Sequence, residues 1–372
     1  MRILHFYRTY FPDTFGGIEQ CIYQLAEKSV RCGMKTKVLT LSNKPQEKIV
    51  FPHHEVHRVR LGLQIASNSF SWRMFSTFKS LAASADVIHY HYPWPSMDLV
   101  HFATRCKKPT VVTYHSDIVR QRKLARLYAP LQKAFLRDVD RIVVTSPNYL
   151  DSSQTLQRYK EKTEVIPIGL DESLFMPADK DAVRKWQAML APRFFLFVGV
   201  LRYYKGLDVL LAAMRSTACP VVIVGSGPDE HRLRMLAQQW NVKNVTFLGE
   251  LPDRDKNALL SLCYGIVFPS NLRSEAFGIS LLEGAMFGKP MISCEIGTGT
   301  TFINLHEQTG IVIPPNDAQA LSDAMQRLWN HPGQAQEMGR NARVRYLRHF
   351  TADHMVDAYC NIYRALAQQA RD

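Results

Sequence analysis

Short, almost wholly apolar segments alternate with stretches of helical periodicity along this chain, and that alternation restricts its fold more than any other feature. Val38–Leu41, Val87–Tyr90, Thr110–Tyr114, Arg141–Thr145 and Glu164–Ile168 form one series, preceded by an N-terminal strand within Met1–Arg8. Phe194–Val198, Val221–Val224, Val245–Leu248, Ile266–Phe268, Met291–Ser293 and Gly310–Pro314 form a second. Strands apolar on both faces are buried on both faces, which means parallel sheets covered by helices. A chain of 372 residues also exceeds what one core ordinarily serves. The expected class is therefore α/β, with two doubly wound, Rossmann-like parallel-sheet domains. The expected boundaries are 1–175, 176–350 and a C-terminal helix in 351–372. That helix carries Met355, Tyr359, Ile362, Tyr363 and Leu366 on one face and is expected to pack back toward the N-terminal domain.

Charge is uneven. Residues 1–175 hold 25 Lys and Arg against 15 Asp and Glu, while the remainder holds 21 against 18. A basic excess on one half points to an anionic partner there: nucleic acid, anionic lipid or a phosphorylated substrate. The seven cysteines are scattered without a Cys-x-x-Cys, which disfavours a zinc site and a disulfide framework. Arg8 interrupts the short apolar run at the N-terminus, unlike a signal sequence, and no stretch approaches the roughly 20 apolar residues of a membrane span. The expected location is cytoplasmic, with any membrane contact peripheral.

Glu275 and Glu283 lie eight residues apart in Ser274-Glu-Ala-Phe-Gly-Ile-Ser-Leu-Leu-Glu283. A strand precedes them and an apolar helix, Ile279–Phe287, follows. Glu275 is thus expected where a strand hands over to a helix, at the carboxyl edge where open α/β sheets bind ligands. The amides of Phe277, Gly278 and Ile279 would be open to phosphate, and Glu283 is expected about two turns further along the helix. The alternative is a pair of exposed surface glutamates. Gly16 and Gly17 precede another helix and suit either close approach to a phosphate or a simple turn. Gly199-Val-Leu-Arg202-Tyr-Tyr-Lys205-Gly206 places two cations after a strand, as a diphosphate site or as solvated charge. Gly225-Ser-Gly227-Pro228 is a further glycine turn suited to nucleotide contact. His115 falls just past a strand. His89 and His91 alternate on a strand and point the same way, but no adjacent carboxylate completes a metal triad, and no metal is expected.

In this order, Gly16-Gly17, His115, Gly199…Lys205-Gly206, Gly225–Pro228 and Glu275…Glu283 resemble the retaining glycosyltransferases of family 4, over essentially the whole chain. Gly-Gly-Ile-Glu19, His115-Ser-Asp-Ile-Val119, Thr145-Ser-Pro-Asn-Tyr149, Arg202-Tyr-Tyr-Lys-Gly206 and Gly297-Thr-Gly-Thr300 resemble bacterial O-antigen mannosyl- and D-rhamnosyltransferases that use GDP-sugars. The resemblance implies a GT-B fold with its two domains facing across a cleft, the acceptor on the N-terminal domain and the nucleotide sugar on the C-terminal one. It implies mannose transfer from GDP-mannose, with retention, α-1,3 onto N-acetylglucosamine diphospho-undecaprenol, or D-rhamnose transfer from GDP-D-rhamnose. Glu275 would hold sugar hydroxyls and Glu283 the ribose. Lys205, Arg202 and the amides near Phe277–Ile279 would meet the departing diphosphate without a metal or other cofactor. His115 would support the developing oxocarbenium through its ring or backbone carbonyl, and Gly16 and Gly17 would close on the phosphate. The family often has arginine where this chain has Val200.

The basic cluster Arg120, Arg122, Lys123 and Arg126, with Trp72 and Phe75 on an aromatic-basic helix pattern, suits an anionic membrane surface and a lipid-diphosphate acceptor. On this reading the protein is peripheral on the inner face of the inner membrane. A nucleic-acid binder is suggested by charge alone, and no recognised motif supports it. A GT-B epimerase or phosphorylase is the other rival, and sequence leaves the oligomeric state open.

Overall fold

The computed structural model describes residues 1–44, 46–65, 68–118 and 122–370. It divides into two compact units, Met1–Leu170 with Ala352–Asp372, and Asp171–Thr351. The division falls ahead of residue 175 because of where the backbone bonds. Leu170 O accepts from Ala352 N, whereas Glu172, two residues on, is held by Arg343 of the second unit at 2.7 Å.

The strands of the first unit are β1 (Arg2–Phe6), β2 (Lys35–Ser42), β3 (Lys48–Val50), β4 (His54–Arg60), β5 (Leu63–Ile65), β6 (Asn68–Phe70), β7 (Val87–Tyr92), β8 (Thr110–Tyr114), β9 (Arg141–Val144) and β10 (Thr163–Val165). Eight of them form a sheet in the order β10-β9-β8-β7-β1-β2-β4-β3, and β5 and β6 form a separate antiparallel hairpin. Every pairing in the large sheet is parallel except β3 on β4. Sequence reading misses β3 to β6. β4 reads His-Glu-Val-His-Arg-Val-Arg, with Val56 and Val59 buried and Glu55 meeting Lys48 of the edge strand β3.

Helices α1 (Gly17–Lys28), α2 (Arg73–Ser84), α3 (Pro95–Thr104), α4 (Arg122–Asp138), α5 (Pro147–Ser152) and α6 (Gln154–Gln157) complete the alternation. On α1 the stripe Ile22, Leu25 and Ala26 is buried; on α2 it is Met74, Phe78 and Ala82. This is the spacing that turns one face of a helix to a core.

The second unit has β11 (Phe195–Val198), β12 (Val221–Val224), β13 (Val245–Gly249), β14 (Gly265–Phe268), β15 (Met291–Cys294) and β16 (Gly310–Ile313). They form one sheet in the order β13-β12-β11-β14-β15-β16, parallel throughout. Its helices are α7 (Lys180–Met189), α8 (Leu207–Ala213), α9 (Glu230–Gln239), α10 (Asp253–Leu262), α11 (Ile279–Met286), α12 (Thr300–Ile303), α13 (Ala318–Asn330) and α14 (Pro332–His349). α11 packs closely on β14: a Cβ on Gly284 would meet Ile266 Cγ1 at 2.4 Å, so only glycine fits there.

The last helix, α15 (Ala352–Gln369), belongs to the first unit. Its buried face bonds to the strands beneath it, Tyr359 Oη to Thr113 Oγ1 at 2.7 Å and Tyr363 Oη to His89 Nδ1 at 2.6 Å. At its start Asp353 and Asp357 meet Lys28 and Arg31.

Candidate active site

In the second unit the strand order reverses between β11 and β14, so the loops leaving these neighbours diverge and open a crevice at the carboxyl edge. Glycines let the backbone crowd there. Gly225, at φ +129, approaches Gly199 so closely that a Cβ would lie 2.0 Å from Gly199 O, and one on Gly227 would lie 2.4 Å from Leu201 O. Gly206, at φ +65, turns the β11 loop so that Lys205 is tucked inward.

Lys205 Nζ donates to Glu275 Oε2 at 2.5 Å, joining the loop after β11 to the loop after β14. Ser270 Oγ donates to the same oxygen at 3.0 Å. Both charged side chains are about nine-tenths buried, with side-chain exposures of 10% and 12%. A carboxylate with two donors and an ammonium held this way are preorganised to meet a polar, charged ligand. Arg202 differs: its carbonyl accepts from Lys205 N at 2.9 Å, but its side chain is exposed and makes no hydrogen bond or ion pair among the described residues.

Glu275 lies in the loop. α11 starts at Ile279, where sequence places it, behind Gly278 at φ +102, so Glu283 sits about one turn into the helix and about two turns' worth of residues beyond Glu275. Gly278, which favours glycine for its positive φ, immediately precedes the helix and leaves the amides of Ile279 and its neighbours at the helix start. The Phe277 side chain is buried. Glu283 is also buried, and Lys256 Nζ on α10 donates to its Oε1 at 2.8 Å. Burial pushes the Lys256 ammonium down, but Glu283 and Asp253 outweigh it and hold it up at about 12. Sequence reading missed Ser270 and Lys256. Ser270 was signalled by its place at the end of β14; nothing local marked Lys256.

In the first unit, Gly16 precedes α1 in extended backbone, and Gly17 is the first residue of the helix. A Cβ on Gly16 would meet Glu19 Oε2 at 2.6 Å, so the glycine leaves room for a buried carboxylate, which accepts from Thr14 Oγ1 at 2.9 Å. An anion approaching this helix start would have to share it with Glu19.

His115, just past β8, is buried at the end of a row of imidazoles. Its Nε2 lies 3.0 Å from His91 Nδ1, and His91 Nε2 lies 3.0 Å from His5 Nδ1. Register explains the row: His5 on β1 pairs with His89 on β7, and His91 on β7 pairs with Thr113 on β8, so these side chains share one face of the sheet. Burial pushes His115 and His5 down to about 3, and His89 and His91 well below the usual imidazole range. His5 joins His89 and His91 as a three-imidazole cluster of metal-binding proportions. The ring nitrogens of His89 are engaged by Tyr363 and Thr113, and those of His91 by His5 and His115. A cation would have to displace these bonds.

Among the docking residues expected from sequence, Trp72 stands at the start of α2 with 80% of its surface exposed, and Phe75 is half-buried beside it. Arg126 on α4 is exposed and lines a surface cavity of about 390 Å³ with Lys133, Arg158 and Tyr159. Arg120 and the side chains of Arg122 and Lys123 lie outside the described residues. All seven cysteines are free thiols. No helix among the described residues is long and apolar enough to cross a membrane.

Two family signatures cover most of the chain: Glycosyltransferase Family 4 over residues 15–174 and Glycosyl transferases group 1 over residues 179–345. The chain is 58% identical to the D-rhamnosyltransferase WbpZ of Pseudomonas aeruginosa, across 95% of this chain and 93% of that protein. It belongs to glycosyltransferase family 4. A second relative, the O-antigen chain mannosyltransferase C of Escherichia coli, is 51% identical across 99% of both chains. Among solved structures, the sucrose-phosphate synthase of Thermosynechococcus elongatus superposes with a TM-score of 0.81 at 25% identity, across 98% of both chains. Anabaena HepE in complex with UDP-glucose gives 0.78 at 18% identity, across 98% of this chain and 100% of that one, a likeness of fold. As a family 4 member the protein is an enzyme, a hexosyl-transferring glycosyltransferase, and its two doubly wound units are those of the GT-B fold.

Proposed function

We propose that this enzyme transfers mannose from GDP-mannose, with retention of configuration, to the N-acetylglucosamine of a lipid diphosphate during O-antigen synthesis, forming an α-1,3 bond on undecaprenyl-linked acceptor. The observation that carries this reading is the Lys205–Glu275 pair at the switch point of the second sheet. Its ammonium suits the departing diphosphate and its carboxylate suits the sugar hydroxyls. Glu283 holds the ribose hydroxyls through the oxygen that Lys256 leaves open. The glycine turns at Gly199, Gly225 and Gly227 admit the nucleotide, and the first amides of α11 meet its phosphates.

His115 is assigned to the sugar. A ring kept neutral by burial puts no like charge beside an oxocarbenium, and the backbone carbonyl favours one. As the glycosidic bond to phosphate breaks, the leaving phosphate oxygen takes the acceptor hydroxyl's proton on the same face. Lys205 and Arg202 supply the positive charge, so no metal is required. The acceptor and the inner face of the membrane are assigned to the basic first unit, with Arg126 and Trp72 as contacts.

Transfer of D-rhamnose from GDP-D-rhamnose is the second reading, favoured by the 58% identity to the Pseudomonas enzyme named for that sugar. Mass spectrometry of the product from synthetic lipid-diphosphate N-acetylglucosamine, with GDP-mannose, GDP-D-rhamnose and UDP-sugars in parallel, separates the two. Product from UDP-sugars alone removes both, and turnover of GDP-mannose without acceptor, beyond slow hydrolysis, points to an epimerase.

A further inference from the structure

The row His5–His91–His115 has a property that its separate members lack. Both nitrogens of His91 face another imidazole nitrogen, each at 3.0 Å. The ring planes of His5 and His91 are 17° apart and those of His91 and His115 21°, and in both pairs the centroids lie 5.3 Å apart, which a 3.0 Å nitrogen–nitrogen contact reaches only with the rings end to end. All are buried, and a neutral imidazole carries one N–H and one lone pair. His91 therefore donates to one neighbour and accepts from the other.

Only two arrangements satisfy both bonds. In one, His5 Nδ1 donates to His91 Nε2, and His91 Nδ1 donates to His115 Nε2, so all three rings carry hydrogen on Nδ1. In the other, His115 Nε2 donates to His91 Nδ1, and His91 Nε2 donates to His5 Nδ1, so all three carry it on Nε2. Any mixture sets two lone pairs or two N–H groups against each other inside the protein, where such a mismatch is most costly.

We propose that His5 and His91 are positioning residues which, through this one-directional row, hold His115 in a single tautomer shared by all three rings. The consequence falls on His115 Nδ1, the ring nitrogen outside the row. It is a fixed donor or a fixed acceptor, decided from β1 on the far side of β7. The proposal rests on the role assigned to His115 above and extends it: the electrostatic face offered to the sugar is set by a residue that never touches it. Stacking of His89 on His91, with centroids 4.3 Å apart, keeps the middle ring from turning.

The test is a long-range proton–nitrogen correlation spectrum of the full-length protein with nitrogen-15 histidine, assigned by single substitutions. The expected result in the unsubstituted protein is one tautomer common to His5, His91 and His115. Different tautomers within the row, or an even mixture at His115, overturn the proposal without any variant having to fold. His91→Gln keeps an amide at the Nε2 position and loses the bond to His115. It is expected to mix the His115 tautomers and lower kcat by about tenfold, the weight of one hydrogen bond, with donor KM within about twofold. His91→Asn, whose amide reaches the Nδ1 position, should recover part of that kcat. Should His91→Gln fail to fold, His5→Gln, whose amide stands at the Nε2 position and leaves the Nδ1 position empty, breaks the row from its far end and should mix the tautomers likewise. An unchanged His115 tautomer in these folded variants overturns the proposal. In a double-mutant cycle, His91→Gln should add nothing to His115→Ala, and additive losses overturn the coupling. A shared tautomer together with full activity in His115→Ala instead overturns the role assigned to His115.

Discussion

Lys205 Nζ and Glu275 Oε2 meet at 2.5 Å across the point where the second sheet reverses its strand order, one from each diverging loop. Each group is thereby held in place by the other, at the site proposed above for the sugar nucleotide. Glu275→Ala should lower the transfer rate by more than about 100-fold, the scale of losing one preorganised polar contact. Circular dichroism should show the fold retained. A rate within about tenfold of the unsubstituted enzyme, roughly 1.4 kcal/mol, would remove Glu275 from the site. Lys205→Ala should be worse than Arg202→Ala, because Lys205 is buried against its partner while the Arg202 side chain is exposed and unbonded among the described residues.

Glu283 is expected to act on binding. Glu283→Ala should raise the donor KM by about tenfold with little change in kcat, as for a contact made equally in ground and transition states. Lys256→Met should give a similar KM defect, since it frees Glu283 from the bond that orients it. A loss confined to kcat in either variant would place Glu283 at the reacting bond.

The buried imidazoles make a prediction about acid. His5 and His115 fall from an ordinary 6.5 to about 3 through burial, with His54 adding to the shift at His5. Between those limits the unfolded chain binds protons that the native one refuses, so stability rises with pH and is lost as pH falls from about 6.5 toward 3. Each ring contributes about 1.4 kcal/mol per pH unit in that window. Urea unfolding should show the midpoint dropping between pH 7 and pH 5. His5→Phe, which cannot titrate, should flatten the slope by about one proton. A midpoint independent of pH over this range would contradict the burial of neutral rings.

Transfer should continue in EDTA, because the Lys205 ammonium and the start of α11 are the groups assigned to the diphosphate. Loss of activity restored by magnesium or manganese would overturn that assignment.

The basic first unit should bind anionic vesicles and release them as salt rises, since exposed charges are screened beyond about 8 Å at physiological ionic strength. Replacing Arg122, Lys123 and Arg126 with serine should weaken sedimentation with vesicles and activity on long-chain acceptor. Activity on a short soluble acceptor should be spared. Equal losses on both acceptors would move the cluster from docking to the active site or to structure.

How legible this was depended on how local the cause is. β11 and β14 were readable because burial on both faces leaves an unbroken apolar run, and Glu275 and Glu283 because an eight-residue spacing beside a strand end is a local pattern. β4 was hidden because its polar residues gain their place only from partners elsewhere: buried His54 bonds Glu27, buried Arg58 bonds Asp13, and Glu55 meets Lys48 of the edge strand β3. The start of α11 at Ile279 was readable from its apolar run, while the positive φ of Gly278 that precedes it was not. Lys256 and His5 were invisible for another reason. Their partners lie on other strands and helices, so tertiary register alone gives them meaning.

The return of α15 to the first unit sets an order of assembly. Tyr359 and Tyr363 cap Thr113 and His89, yet they are translated after every residue of the second unit. On the ribosome the second unit can close as soon as Thr351 emerges, whereas the earlier-made first unit must wait with the part of its sheet that α15 covers, around His89 and Thr113, still bare. A protein stopped at residue 351 should therefore present that part, imidazoles included, to chaperones and to other unfinished copies. The first half of the polypeptide to be made is the last to be finished.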